Sequence, residues 1–185
     1  MDARAELLRL IKDEAVVRGR VTLSSGHETD YYLDLRRVTL SGRAAPLVGR
    51  VMLDATAALD YDAVGGLTMG ADPVAAAMLH VAATGIGGHR TLDAFVVRKE
   101  GKAHGLQRRI EGPDVAGRSV LAVEDTSTTG GSVLTAVEAL REAGAVVAGV
   151  AVIADRATGA AERVAAAGLD YRFVYSLEEL GLSDG

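Results

Sequence analysis

The chain has 185 residues, which suits a single domain, because domains commonly hold about 100 to 200 residues. Hydrophobic residues make up 49% of it and charged residues 24%, and this balance excludes a disordered or fibrous protein. The sequence has no cysteine and a net charge of −5, which excludes disulfides, thiolate metal sites and a chain-wide attraction for nucleic acid or anionic membranes.

The N-terminal segment, residues 1–40, predicts a small element of one helix and two strands. Apolar residues at helical spacing predict an amphipathic helix between Asp2 and Arg18. Apolar runs at Val21–Leu23 and Tyr31–Leu35 predict two strands on either side of a turn. The segment lacks the basic start and apolar stretch of a secretory leader, and the chain has no apolar run of about 18 residues, so we expect a cytoplasmic protein without a membrane segment.

The rest of the chain alternates between apolar strands and amphipathic helices. The strands show no polar alternation, which is typical of strands that are buried on both faces. We therefore predict an α/β fold in a single domain over residues 1–185, with a central, mostly parallel sheet and helices on both faces. The predicted strands are Ala63–Gly65, Ala94–Val97, Val120–Val123 and Val146–Ile153, and the predicted helices are Gly42–Leu59, Pro73–Ala83, Ser132–Ala143 and Ala160–Ala167.

Two adjacent acids at the end of a predicted strand, Glu124 and Asp125, precede a turn rich in hydroxyls and glycine. The turn opens a helix, and a helix N-terminus supplies unpaired N–H groups and partial positive charge that suit a phosphate. Carboxylates beside a phosphate site fit sugar hydroxyls or a hydrated divalent cation, so the pattern predicts a phosphorylated ribose as ligand. The alternative is that the hydroxyls only cap the helix, although capping needs one such residue. The turn residues are Thr126, Ser127, Thr128, Thr129, Gly130, Gly131 and Ser132.

The segment from Lys99 to Gly117 has no clear apolar period and predicts a long loop. Residues 98–109 hold five basic residues and one acid, a local net charge of +4 on an acidic chain. The alternatives are a solvated basic face, a nucleic-acid surface and a mobile lid over a polyphosphate. Nucleic-acid binding favours aromatic residues for base stacking, and none lies between Arg98 and Gly117, so we favour the lid.

Together these motifs resemble the orotate phosphoribosyltransferase family of the type I phosphoribosyltransferases. The strand, acidic pair and turn at 119–132 resemble the family's motif for phosphoribosyl diphosphate (PRPP). The segments Thr22–Gly26, Tyr31–Asp34, Arg98–Gly105 and Asp155-Arg156 follow in the family's order, so the resemblance covers nearly the whole chain. It implies transfer of the phosphoribosyl group of PRPP to N1 of orotate in pyrimidine nucleotide synthesis. It also implies the type I phosphoribosyltransferase fold, with the N-terminal segment as a hood over the base.

The resemblance assigns the basic loop to the diphosphate of PRPP. It implies that residues 98–117 form a mobile catalytic loop on which Lys102 and His104 close over the diphosphate. These two residues and Arg98 serve the neighbouring subunit, which implies a homodimer with shared active sites. Lys99 contacts the diphosphate from its own subunit.

The resemblance also places PRPP against two glycine-rich loops. One is the turn from Glu124 to Ser132, in which Asp125 is counted with Lys102 and His104 as a catalytic residue. The other is the loop that contains Met69 and Gly70, whose backbone holds the diphosphate. Mg²⁺ is expected to arrive bound mainly to PRPP and to need no site made of protein ligands.

The resemblance implies orotate-binding residues toward both ends of the chain. At one of these positions the sequence departs from the family. Many relatives carry lysine where Ser24 stands, so Arg156 becomes the candidate partner of the orotate carboxylate, since a guanidinium can bind it bidentately. Many also carry lysine where Met69 stands, so the diphosphate contacts at that loop are expected to rest on its backbone and on Lys99 and Lys102. The alternatives left open are a plain ion pair of Arg156 with Asp155 and ordinary strand packing of the tyrosines. The implied orotate-binding residues are Ser24, Tyr31, Tyr32, Thr128 and Arg156.

Two other functions are open on the sequence alone. One is phosphoribosyl transfer to a different base, such as a purine, which lacks the carboxylate that Arg156 would bind. The other is a noncatalytic regulator of the same fold that senses PRPP and binds RNA or DNA. Such a regulator has little need of Lys102 and His104, and it needs a basic face that this acidic chain does not offer. We therefore expect PRPP and orotate as partners, with no nucleic acid and no membrane.

Overall fold

The structure, a computed structural model, describes residues 2–22, 28–85, 91–99 and 109–182. The strands are β1 Val16–Thr22, β2 Glu28–Leu33, β3 Ala63–Leu67, β4 Asp93–Val97, β5 Ile110–Glu111, β6 Ser119–Ser127, β7 Val146–Asp155 and β8 Tyr171–Ser176. The α-helices are α1 Ala3–Leu10, α2 Arg36–Thr39, α3 Ala45–Ala55, α4 Ala71–Ala83, α5 Gly131–Glu142 and α6 Ala160–Ala166. In these described ranges, no helix is long and apolar enough to cross a membrane.

A six-stranded sheet forms the centre of the fold, in the order β5-β4-β3-β6-β7-β8. All neighbouring strands are parallel except β5, which runs antiparallel to β4. Because the parallel strands share one direction, their carboxyl ends meet at the same edge of the sheet, where ligand sites of such folds lie. The predicted α/β fold with a mostly parallel sheet is confirmed.

Both faces of the sheet are covered by helices, which explains why its strands are apolar without alternation. Leu121 and Ile153 pack in the cluster that contains α1, α3 and α4. Their neighbours Val120 and Val152 point the other way, into the cluster that contains α5 and α6. All four side chains are at most 1% exposed, so each central strand contributes to two hydrophobic layers.

The N-terminal segment forms a separate two-stranded antiparallel sheet, β1-β2, after one helix. The helix predicted over Asp2–Arg18 was wrong in its end: α1 is followed by a π-helical turn at Ile11–Ala15, and β1 begins at Val16. Val16 and Val17 are β-branched and pair with β2, so strand pairing overrides the helical period there. For the same reason the first strand starts earlier than the predicted Val21.

Two further elements lie outside the predicted set. The predicted loop over residues 98–117 contains the short strand β5, and Val97 pairs with Ile110 across it. Arg98 N–H also donates to the Arg109 carbonyl at 2.7 Å. The edge strand β8 was not predicted; its Phe173 is exposed, whereas Val174 and Tyr175 are buried. The mobility of the loop stays a prediction.

Candidate active site

A cavity of about 340 Å³ opens at the carboxyl edge of the sheet, where β3 and β6 end. Three segments of the chain line it: residues 32–34 and 36 at the end of β2 and just after it, residues 67–70 at the end of β3 and just after it, and residues 124–126 of β6. Lys99 and Ser132 complete the described lining. The site therefore joins the N-terminal segment, both glycine-rich loops and the start of the basic segment.

The acidic pair forms the floor of this site. Glu124 is 7% exposed, and strand β6 continues through both acids to Ser127, beyond the predicted end at Val123. The Asp125 N–H donates to Glu124 Oε1 at 3.2 Å, and the Thr126 N–H donates to Asp125 Oδ1 at 2.7 Å. The two carboxyl groups are thus held in place by the backbone of their own strand.

Burial disfavours the state in which both carboxyl groups of this pair are ionised. Burial, with the Asp125 charge as the next cause, raises the pKa of Glu124 to about 8. Burial also raises the pKa of Asp125, although backbone N–H donation and the charge of Arg36 oppose that rise. A ligand that brings hydroxyl donors or a cation would favour the ionised pair, which matches the sugar or hydrated-cation role expected from the sequence.

The turn after β6 leaves a helix N-terminus open toward the site. Gly130 is the N-cap of α5, its φ is +75°, and it offers no side chain to the first amides of the helix. The alternative that the hydroxyls only cap α5 therefore fails, because glycine occupies the capping position. Ser132 lines the cavity in the first turn of this helix, as a phosphate donor there would.

The loop between β3 and α4 packs directly on the acidic pair. A Cβ atom added at Gly70 would collide with Glu124 Oε1 and lie 2.8 Å from Asp125 Oδ1. Thr68 N–H donates to the Val97 carbonyl at 2.8 Å, and the Thr68–Met69 peptide bond is cis. Met69 is 64% exposed at the cavity, so its backbone rather than its side chain is held by the fold.

A side-chain hydrogen bond that was not predicted from the sequence holds this loop in place. Thr68 Oγ1 donates to Asp72 Oδ2 at 2.7 Å, and the Asp72 charge contributes to the raised pKa of Glu124. The signal was an aspartate immediately before Pro73 in the first turn of a helix.

Two more lining residues, Asp34 and Arg36, were also missed. Arg36 Nε donates to Asp34 Oδ1 at 2.9 Å, and Arg36 Nη2 donates to the Tyr32 hydroxyl at 3.1 Å. The available signal was the Asp-Leu-Arg sequence that follows the two tyrosines after Leu33. Tyr32, predicted to contact the base, lines the cavity and is 38% exposed.

The basic segment reaches the cavity through one described side chain. Lys99 lines the cavity as expected, whereas Arg98 forms an ion pair with Glu111 at 3.5 Å. Lys102 and His104 lie outside the described residues, as does Ser24. Their expected roles remain predictions from the resemblance.

The residues expected to bind orotate are divided between two places. Arg156 Nη2 donates to the Tyr31 hydroxyl at 3.2 Å, and Tyr31 is 5% exposed. The Arg156 N–H donates to the Ser127 carbonyl at 3.0 Å, which ties this pair to the end of β6 beside Thr128. Tyr32 lines the cavity while Tyr31 does not, because consecutive residues of a strand point to opposite sides.

Of the remaining turn residues, Thr126 alone is in the described lining of the cavity, and the others lie around it. Ser127 is 4% exposed, and Thr128 and Thr129 are exposed to solvent. The Thr129 carbonyl accepts from Arg163 Nη1 at 2.9 Å, which fixes the turn before Gly130 and Gly131. Across the described ranges, no three histidine, aspartate or glutamate side chains are placed to hold a metal ion together.

The chain is similar in sequence and in fold to known proteins of one family. A phosphoribosyl transferase domain family matches residues 53–168. An orotate phosphoribosyltransferase of Streptomyces avermitilis is 72% identical over 182 residues, covering 98% of this chain and 98% of that protein. The crystal structure of the Mycobacterium tuberculosis orotate phosphoribosyltransferase with Fe(III) dicitrate superposes with a TM-score of 0.88 at 58% identity, covering 98% of this chain and 100% of that one. The same Mycobacterium tuberculosis protein in complex with PRPP gives a TM-score of 0.84 at 54% identity, with the same coverage.

Proposed function

This chain belongs to the orotate phosphoribosyltransferase family, and from that premise we propose how its own residues carry out the transfer. The family transfers the phosphoribosyl group of PRPP to N1 of orotate and releases diphosphate, which produces orotidine 5′-monophosphate for pyrimidine synthesis. The related Mycobacterium tuberculosis protein has been crystallised with PRPP. The orotate phosphoribosyltransferase activity is that of the family, and the roles of the individual residues are our proposal.

The observation that carries the proposal is that one cavity joins Ser132, the acidic pair, Gly70 and Lys99. PRPP has three parts, the 5′-phosphate, the ribose and the diphosphate, and each is proposed to bind a different group of the cavity. The 5′-phosphate lies at the N-terminus of α5, where hydroxyls and amides act as donors. The ribose hydroxyls donate to Asp125 and Glu124, and the diphosphate lies against the Gly70 loop and Lys99.

The reaction needs charge stabilisation rather than a covalent nucleophile. As the bond to diphosphate breaks, positive charge grows on the ribose ring and negative charge grows on the leaving group. Lys99 stabilises the leaving group from within the cavity, and Lys102 and His104 are proposed to add charge from the partner subunit's loop. Closure of that loop excludes water, which would otherwise hydrolyse the activated sugar. The acidic pair stabilises the ring through its hydroxyls.

Magnesium fits this donor set as a companion of PRPP. Asp125 and Glu124 are carboxylates in the cavity, and carboxylates accept hydrogen bonds from the water molecules that Mg²⁺ keeps. When bound, the ion neutralises part of the diphosphate charge. A cation bound nearby would favour ionisation of Glu124, whose pKa is raised in the ligand-free protein.

Orotate is proposed to lie between the N-terminal segment and the turn after β6. Arg156 donates from Nη2 to the Tyr31 hydroxyl and from its backbone N–H to the Ser127 carbonyl, which holds the residue between the N-terminal segment and the turn after β6. A carboxylate is the natural partner of a guanidinium in such a place, and orotate carries one. Tyr32 lies on the cavity side of the same strand and can contact the base there.

The direct test mixes the purified protein with PRPP, Mg²⁺ and orotate and follows the loss of orotate absorbance. We expect turnover that depends on PRPP and on Mg²⁺, with no turnover of adenine or hypoxanthine. Turnover with a purine and none with orotate would contradict the proposed base. An Asp125→Asn variant that binds neither PRPP nor ribose 5-phosphate would support the placement of the sugar at the acidic pair.

A further inference from the structure

Arg36 is a charged side chain in the cavity to which the function described so far gives no role. It lies at the start of α2 and is oriented by two contacts, Asp34 Oδ1 at 2.9 Å and the Tyr32 hydroxyl at 3.1 Å. A guanidinium has five N–H donors, and these contacts use two of them. Among the described residues no other hydrogen-bond partner of this guanidinium is found, so donors remain for a ligand.

The charge balance of the cavity shows which ligand these donors would suit. In the described lining the cations are Arg36 and Lys99, and the acids are Asp34, Glu124 and Asp125. The diphosphate is the most highly charged part of PRPP, and within the described lining Lys99 is the cation so far assigned to it. Met69, the exposed residue of the Gly70 loop, brings no charge to the cavity.

The position of Arg36 separates it from the other two anionic groups of the substrates. The 5′-phosphate has its donors at the start of α5, and the orotate carboxylate has Arg156 on the opposite side of β2. Arg36 instead lies close enough to Asp125 that its charge opposes the rise in the pKa of that carboxyl. Arg36 also lines the same cavity as the acidic pair and Gly70, where the proposed function places the ribose and the leaving group.

We propose that Arg36 binds the diphosphate of PRPP and acts there with Lys99 as the second cation of the described lining. This inference rests on the proposed function, because it places PRPP in the cavity as described above. Asp34 has the matching role of a positioning residue, since its bond to Arg36 Nε holds the guanidinium toward the cavity. A guanidinium held this way presents its outer N–H groups together, which suits phosphate oxygens.

Calorimetric titration of three ligands distinguishes the possible roles: Mg²⁺-diphosphate, ribose 5-phosphate and orotate. We expect Arg36→Gln to weaken diphosphate binding by about 10-fold or more, since a charge-assisted hydrogen bond is lost. Binding of ribose 5-phosphate and of orotate should stay within about 2-fold of the wild-type value, and Arg36→Lys should recover part of the diphosphate affinity.

Arg43→Gln is the matched control, because Arg43 is an arginine that lies outside the cavity lining, is 60% exposed and pairs with Glu6 rather than with a lining residue. It should leave all three affinities unchanged. Unchanged diphosphate binding in Arg36→Gln would overturn the inference, as would an equal loss of ribose 5-phosphate binding or a loss confined to orotate. A wild-type protein that binds neither PRPP nor diphosphate would instead contradict the proposed function itself.

Discussion

The guanidinium of Arg156 lies over the ring of Tyr31, 5.4 Å from its centroid, and Nη2 donates to the Tyr31 hydroxyl at 3.2 Å. The two residues are 125 positions apart in the chain, so the contact ties the N-terminal segment to the end of β7. A guanidinium stacked on an aromatic ring loses little freedom when it binds a ligand. The Arg156 guanidinium is therefore preorganised to bind a carboxylate.

We expect Arg156→Ala to raise the KM for orotate by about 10-fold to 100-fold, because a charge-assisted contact contributes about 1.5 to 3 kcal/mol. The KM for PRPP should change by less than about 2-fold, since Arg156 is placed at the base rather than the sugar. Steady-state kinetics with each substrate varied in turn measure both constants. Arg172→Ala is the control, because Arg172 contacts Asp170 on the edge strand β8. A parallel rise in both constants would contradict the assignment.

The raised pKa of Glu124 predicts an unusual dependence of stability on pH. Its pKa is about 8 in the folded chain, against an ordinary value of 4.5, because burial and the Asp125 charge disfavour ionisation. Between these two values the unfolded chain has released the proton that the folded chain keeps, so the unfolded chain binds fewer protons. The free energy of unfolding of the ligand-free protein should therefore fall as pH rises from about 4.5 to about 8.

Chemical denaturation at a series of pH values measures this slope. Glu124→Gln should flatten it and should stabilise the ligand-free protein at pH 8, by on the order of a few kcal/mol at most. The same substitution should weaken PRPP binding. A variant that is more stable but binds PRPP less tightly would show that the Glu124 carboxyl contributes to ligand binding while it destabilises the ligand-free protein. A slope that is identical in wild type and Glu124→Gln would contradict the environment assigned to this carboxyl.

The sequence predicted the acidic pair and its turn because their chemistry is carried by consecutive residues. Glu124 and Asp125 stand next to the hydroxyls and glycines that they work with, so the site can be recognised locally. The central strands were equally predictable, since burial on both faces makes each of them an unbroken apolar run. Family, fold and activity are confirmed by the comparisons.

Residues whose role depends on distant partners were not predictable in the same way. Arg36 becomes a site residue only because α2 is carried to the carboxyl edge of the sheet beside Asp125. Asp72 holds Thr68 through a turn geometry that spacing does not reveal. The same reason explains β1, where pairing of Val16 and Val17 with β2 decides the structure against the helical period.

The close approach of Gly70 to the acidic pair predicts a steric effect on PRPP binding. In Gly70→Ala the added methyl group would displace the Glu124 and Asp125 carboxyl groups, while the Gly70 φ of −69° accommodates alanine without backbone strain. We expect PRPP affinity to fall by about 10-fold or more, since overpacking of a tight site costs about 1 to 3 kcal/mol. Calorimetric titration with PRPP measures the loss.

Gly42→Ala is the control for this substitution, because a Cβ atom at Gly42 meets nothing within 4 Å. It should leave PRPP affinity unchanged and keep or slightly raise the melting temperature. If Gly70→Ala binds PRPP as tightly as Gly42→Ala does, then the Gly70 loop and the acidic pair do not act together on the ligand.

A shared active site in a homodimer predicts that two inactive variants rescue each other. Lys102→Ala removes a charge from the loop, and Asp125→Asn removes one from the sugar site, so each homodimer should lose most of its turnover. If Lys102 acts on the partner subunit, a mixed dimer contains one site with both residues intact and should recover about half of the wild-type activity. Co-expression with two affinity tags isolates that dimer, and steady-state assays measure it. A mixed dimer as inactive as its parents would place Lys102 in its own subunit's site, and a monomer in sedimentation would exclude sharing altogether.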